Sequence, residues 1–146
     1  MVFRFVALLK LRKSLEHQQE LRLRAANQWV ARVRELMRLS ETSMAALART
    51  QAASLDAGTA AAELHFLRGH AAACELRWRE LSQQLGQAEN VRDQQRQVLF
   101  RIREQREMLE SLKIGEDHER LRRASRQDQS QMDEAFLLRQ HRRKEN

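Results

Sequence analysis

The sequence predicts an all-α fold, a long antiparallel two-helix coiled-coil hairpin, and three observations predict it. The first is composition: 146 residues with no proline, no tyrosine, four glycines and 32% charged side chains leave too few breakers for a turn-rich globule. A hydrophobic fraction of 42% is too high for disorder. The second is periodicity, because stepping alternately by three and four from Leu64 to Lys113 meets an apolar residue at eleven of fifteen positions, the spacing of a heptad seam. The third is that a single turn signal stands between the periodic halves. A short loop between two long helices makes them antiparallel neighbours.

The first arm spans about residues 3–55. Leu8, Leu11 and Leu15 form a short apolar run, and after a one-residue phase slip Leu23, Ala26, Val30, Val33, Met37, Ser40, Met44 and Leu47 form another. The turn falls at about 55–60, where Asp56 and Gly58 supply turn chemistry and the Thr59 hydroxyl is placed to cap the next helix. The second arm runs over about 60–113, each arm being about 70–80 Å long at 1.5 Å per residue. Its seam is interrupted at Arg92 and Gln95, a wetter patch after which Leu99 and Ile102 resume in phase. Gly69 and Gly86 are tolerated weak points, each costing about 1 kcal/mol relative to Ala. Gly115 leaves two outcomes open, a break or a continuous helix, before a helical C-terminal extension over 116–146 that completes a single coiled-coil domain of 1–146.

Several chemistries are disfavoured by what the chain lacks. Its glycines are isolated and no GK[ST] follows them, so there is no phosphate-binding loop. His70 and Cys74 stand four apart, as two metal ligands can, but no second ligand pair accompanies them, and Cys74 reads as a small seam residue. A coiled coil offers no concave pocket that excludes water, so no catalytic residue, metal or cofactor is assigned and the chain reads as non-enzymatic. One cysteine excludes an internal disulfide and fits a reducing cytoplasm. The N-terminal apolar stretch, interrupted by Arg4 and Lys10, is too short to span a bilayer of about 30 Å.

What remains is surface. Trp78 falls on the seam and Trp29 on its flank, whereas Phe66 lies outside the register beside His70 and Ala73, fitting either a partner surface or flank packing. The 27 Lys and Arg against 20 Asp and Glu give a formal charge of +7, and 23 of those cations are arginine, suited to bidentate contacts with carboxylate or phosphate. Antiparallel folding is expected to gather Lys10, Arg12 and Lys13 with Arg139, Arg142, Arg143 and Lys144 into a basic tip. Such a tip suits an acidic protein collar, an anionic membrane or a nucleic acid.

The two ends carry a more specific signal. The opening FRFVALLKLRKSLEHQQE and the closing RQDQSQMDEAFLLRQHRR resemble the ends of the flagellar export protein FliJ family, through Phe3, Arg4, Phe5, Leu8, Leu9 and Arg12 at one end and Gln129, Met132, Asp133 and Glu134 at the other. The resemblance implies a central-stalk-like coiled coil in type III protein export. Both termini would enter the pore of the hexameric flagellar export ATPase, placing Lys10, Arg12, Lys13, Arg139, Arg142 and Arg143 against the ring and promoting its assembly and activity. A patch near the start of the second arm would meet the membrane export-gate protein. By family spacing that patch is Phe66, His70, Ala73 and Arg77, of which Phe66 and Ala73 match the family pattern and His70 and Arg77 depart from it. Export chaperones are further implied partners, with the chain cytoplasmic and peripheral at the membrane. The alternatives are the equivalent stalk of a virulence-type secretion system and a basic coiled coil that binds nucleic acid, whose affinity would fall steeply with salt.

Overall fold

The computed structural model describes residues 2–58 and 60–146, with side chains from Phe5 onward; Phe3, Arg4 and the Thr59 cap lie outside the described side chains. Two helices account for almost all of it, α1 (Val2–Asp56) and α2 (Ala61–Glu145), with no strand among the described residues. The chain clusters into two units, one of residues 1–15 with 102–146 and one of residues 16–101.

In the 16–101 unit, α1 and α2 pack antiparallel along one seam. Every α1 residue of the series from Glu16 and Gln19 through Leu23 to Ser54, and every α2 residue of the series from Leu64 to Leu99, is buried or half-buried. The fully buried side chains cluster away from the turn, at Ala26, Val30 and Val33 on α1 and at Leu81, Ala88 and Leu99 on α2. Gln19 joins them although it is polar, at 3% exposure. Its Nε2 donates to Gln95 Oε1 at 2.6 Å and to the Gln95 carbonyl oxygen at 3.0 Å, so the buried amide keeps its hydrogen bonds.

In the unit of residues 1–15 with 102–146, the α1 seam consists of Phe5, Leu9 and Arg12, facing Ile102, Arg106, Leu109 and Lys113. This corrects the reading of the first arm. Leu9 is 8% exposed and Leu11 54%, so Leu8 and Leu11 stand outside the seam, whose spacing holds without a phase slip through Leu9, Arg12, Glu16 and Gln19 to Leu23. The physical reason is polar pairing. Arg12 occupies its seam position with Nη1 donating to Gln105 Oε1 at 2.6 Å, as Gln19 does with Gln95, and apolarity alone did not reveal that phase.

The turn rests on Gly58, whose φ of +70° is a left-handed backbone that L side chains rarely adopt. Its amide donates to the Leu55 carbonyl at 3.4 Å, closing α1, and the Ala60 carbonyl accepts from the Glu63 and Leu64 amides to open α2. Gly115, by contrast, sits inside an unbroken α2, with nothing within 4 Å of where a Cβ would stand. From His118 to the end every residue is exposed. Arg142, Arg143 and Lys144 occupy the last turn, where cations oppose the negative end of the helix dipole.

These two glycines give opposite predictions. Gly58→Ala should destabilise the hairpin by about 1–2 kcal/mol, the cost of a left-handed L residue. Gly115→Ala should stabilise it by up to about 1 kcal/mol, because a helix interior prefers Ala and the space is open. Thermal unfolding followed by circular dichroism checks both signs.

Candidate functional site

Away from the seam, α1 carries a second series at the same spacing, through positions 8, 11, 15, 18, 22, 25, 29, 32, 36, 39, 43 and 46. Leu8, Leu11 and Leu15 begin it, and Ala25, Trp29, Leu36, Leu39 and Ala46 continue it. Its charged members are Arg22 and Arg32, and the acids of α1, Glu16, Glu20, Glu35, Glu41 and Asp56, all lie off it. One side of α1 is therefore apolar and positive. The opposite flank carries a cross-helix ion pair, Arg34 Nη2 to Glu89 Oε1 at 3.2 Å in the 16–101 unit. Such exposed pairs are worth below about 1 kcal/mol each.

In the 16–101 unit the apolar side of α1 meets α2 in an open groove. Leu36, Leu39 and Ser43 form one wall, and Ala73, Cys74 and Arg77 the other. Leu36 and Leu39 are partly exposed in it, as is Trp29 one heptad earlier on the same series. Glu35 is occupied by Arg38, which donates to it from Nε at 3.0 Å and from Nη2 at 2.7 Å. That hydrogen bonding holds the Glu35 carboxyl below its ordinary pKa, so the pair stays ionised and mutually satisfied at neutral pH.

Phe66, His70, Ala73 and Arg77 lie on one stripe of α2, and all four are exposed. Ala73 and Arg77 line the groove, and Arg77 Nη1 also stands 3.9 Å from Glu80 Oε2. Phe66, 73% exposed, stacks on His70 with ring centroids 6.5 Å apart and planes 8° from parallel. Leu36 and Leu39 are the members of this surface that the sequence reading missed. The signal was present in the Leu8, Leu11, Leu15 spacing, which belongs to the second series rather than to the seam.

The two basic sets are not brought together. Arg12 reaches Gln105, and Lys13 Nζ lies 3.9 Å from Glu110 Oε1. Arg139 stands 139 − 110 = 29 residues further along α2 than Glu110, about 45 Å at 1.5 Å per residue. The reason is that α2 has 85 residues and α1 only 55. Lys10 is exposed on α1, and Arg139, Arg142 and Arg143 are exposed on the last turns of α2.

Trp78 is half-buried on the seam, its Nε1 donating to Glu41 Oε1 at 3.3 Å. Cys74 is half-buried and His70 exposed, and among the described residues no three His, Cys, Asp or Glu side chains converge as a metal site requires. No helix among the described residues is long and apolar enough to cross a membrane.

Packing and surface roles separate by substitution. Leu81→Ala, at 1% exposure, should cost about 2–5 kcal/mol. Leu36→Ala on the groove wall should cost less, since Leu36 is already 38% exposed. Chemical unfolding of the two variants checks the contrast.

A family model described as "Flagellar FliJ protein" matches the chain over residues 1–146. No curated protein and no solved structure matches it.

Proposed function

The chain belongs to the flagellar FliJ family and is thereby a component of the flagellar protein-export apparatus, and on that footing we propose that it acts as the non-enzymatic stalk of the export ATPase. In this reading the C-terminal end of α2 docks in the hexameric ring and favours ring assembly and turnover, while the groove meets the export-gate protein and export chaperones bind elsewhere on the coil. It works in the cytoplasm, peripheral to the membrane that holds the gate. The single observation that carries the reading is the bare last part of α2. From His118 onward no residue is buried, yet the segment is helical and ends in a cationic turn. A helix that buries nothing of its own is suited to being buried by a partner.

The ring contact is electrostatic in this proposal, and because Arg139, Arg142 and Arg143 are far from Lys13, the α2 end carries it alone. A partner that binds the assembled ring more tightly than its subunits raises the assembled fraction by linkage. At limiting ATPase concentration the protein should raise the rate of ATP hydrolysis. Charge reversal at Arg139, Arg142 and Arg143 should remove most of that stimulation, whereas reversal at the exposed Arg24, Arg96 and Arg101 should not. No stimulation over a wide ratio of the two proteins would end the stalk reading, and equal sensitivity to both triple reversals would make the attraction diffuse.

The gate contact is apolar with a positive rim. Leu36→Asp with Leu39→Asp should weaken binding to the cytoplasmic part of the gate protein at least tenfold, with helicity unchanged and ATPase stimulation retained. Titration by calorimetry measures the first and the coupled ATPase assay the second. Unaltered gate binding would remove the groove from the proposal and leave the ring contact standing.

A further inference from the structure

The groove exists only because residues of α1 stand opposite particular residues of α2, and something must hold that alignment. We propose that the amide pair of buried Gln19 with half-buried Gln95 is the register pin of the hairpin, selecting the one alignment that assembles the groove. Among the described residues Gln19 is the only buried polar side chain, and its amide donates to Gln95 at both the side-chain and the backbone oxygen. Buried polar pairs in coiled-coil seams fix alignment at a cost in stability, because any other alignment buries the same groups without partners.

Heptad arithmetic ties the pin to the groove. Ser40 and Cys74, both groove residues, stand in the same cross-helix relation as Gln19 and Gln95, since 40 − 19 = 21 and 95 − 74 = 21, three heptads in each direction. A slip of one heptad would set Gln19 against Ala88 or Ile102 in place of Gln95, with no amide to meet it. The same slip would move Ala73 and Arg77 about 10 Å along the axis away from Leu36 and Leu39. Apolar seam positions do not penalise a slip in this way, because a heptad shift brings Leu, Val or Ala against Leu, Val or Ala.

The turn does not replace the pin. All seam residues from Met37 to Ser54 and from Leu64 to Trp78 are only half-buried, so the half of the unit nearest the turn has the loosest seam. The amide pair sits in the tightly packed half, between Ala26, Val30 and Val33 on α1 and Ala88 and Leu99 on α2. That the aligned groove serves the gate rests on the function proposed above; the alignment itself does not.

Spin labels on the exposed Ala45 and Gln97, introduced as cysteines in a Cys74→Ser background, lie about 40 Å apart along the axis, and pulsed dipolar spectroscopy reads their separation. The parent should give one narrow distance. Gln19→Leu with Gln95→Leu should keep the helical hairpin and not lower its melting temperature, yet show additional populations displaced by about 10 Å. Moving the pin, by Gln95→Leu with Ala88→Gln, should lengthen the principal distance by about 10 Å. One unchanged narrow distance in both variants would overturn the proposal. Unfolding of the double leucine variant would overturn it as well, since a pin costs stability and does not supply it. Binding of the gate protein is a separate readout: a register shift without loss of gate binding leaves the pin in place and removes only its consequence for the groove.

Discussion

Two helices have one seam to share, and the unbroken 3-4 series on each of them is the constraint from which the other features follow. Two positions in seven face the partner helix, so most side chains remain in water whatever their chemistry. The chain can therefore carry 32% charged residues and still fold. The same geometry leaves few buried groups, and stability must come in small increments along the seam together with the intrinsic helix preference of a chain rich in Leu, Ala, Arg, Gln and Glu and free of proline. Within so sparse a core Gln19 is the only buried polar side chain among the described residues, and it is paired with Gln95 across the seam.

How much of this was legible depends on which arm is read. On α2 all fifteen seam positions from Leu64 to Lys113 are buried or half-buried, including Arg92, Gln95, Arg106 and Lys113, whose polar identity did not remove them from the phase. Long polar side chains can lay their stems along the seam and send their ends outward. On α1 two interleaved 3-4 series compete, and before Leu23 the one with more leucines is the wrong one. Gln19 decides the phase, and what permits its burial is a partner 76 residues away in the chain, which no inspection of one arm can supply.

The candidate surface divides along the same line. Phe66 and Ala73 were legible because they fall off the α2 seam, a property of one helix. Leu36 and Leu39 were not, because a groove belongs to two helices in a given alignment. The net positive charge was legible by counting, but its distribution was not. Whether Lys13 meets Arg139 depends on how far α2 outruns α1, and the pairing of Lys13 with Glu110 settles that against a gathered tip.

The ion pairs bear on where partners can bind rather than on stability. On one flank of the 16–101 unit Arg34 and Glu89 satisfy each other, and exposed pairs of this kind add little to folding. Their effect is that these two charges are already engaged when a protein approaches that flank. The other side of α1 keeps Arg22 and Arg32 on one series with Trp29, Leu36 and Leu39 and with no acid on it, a surface whose field and apolar area would suit an acidic, partly apolar partner. The last turn of α2 differs in kind. Arg142, Arg143 and Lys144 already interact with the negative end of the helix dipole, a contribution of a few tenths to about 1 kcal/mol each that does not require their side-chain tips to be fixed. Carboxylates around that turn would meet cations whose tips remain free, adding charge contacts without first breaking others. Ion pairing within the chain thus engages charges on one flank, whereas among the described residues the α1 series from Leu8 to Ala46 carries cations and no acid.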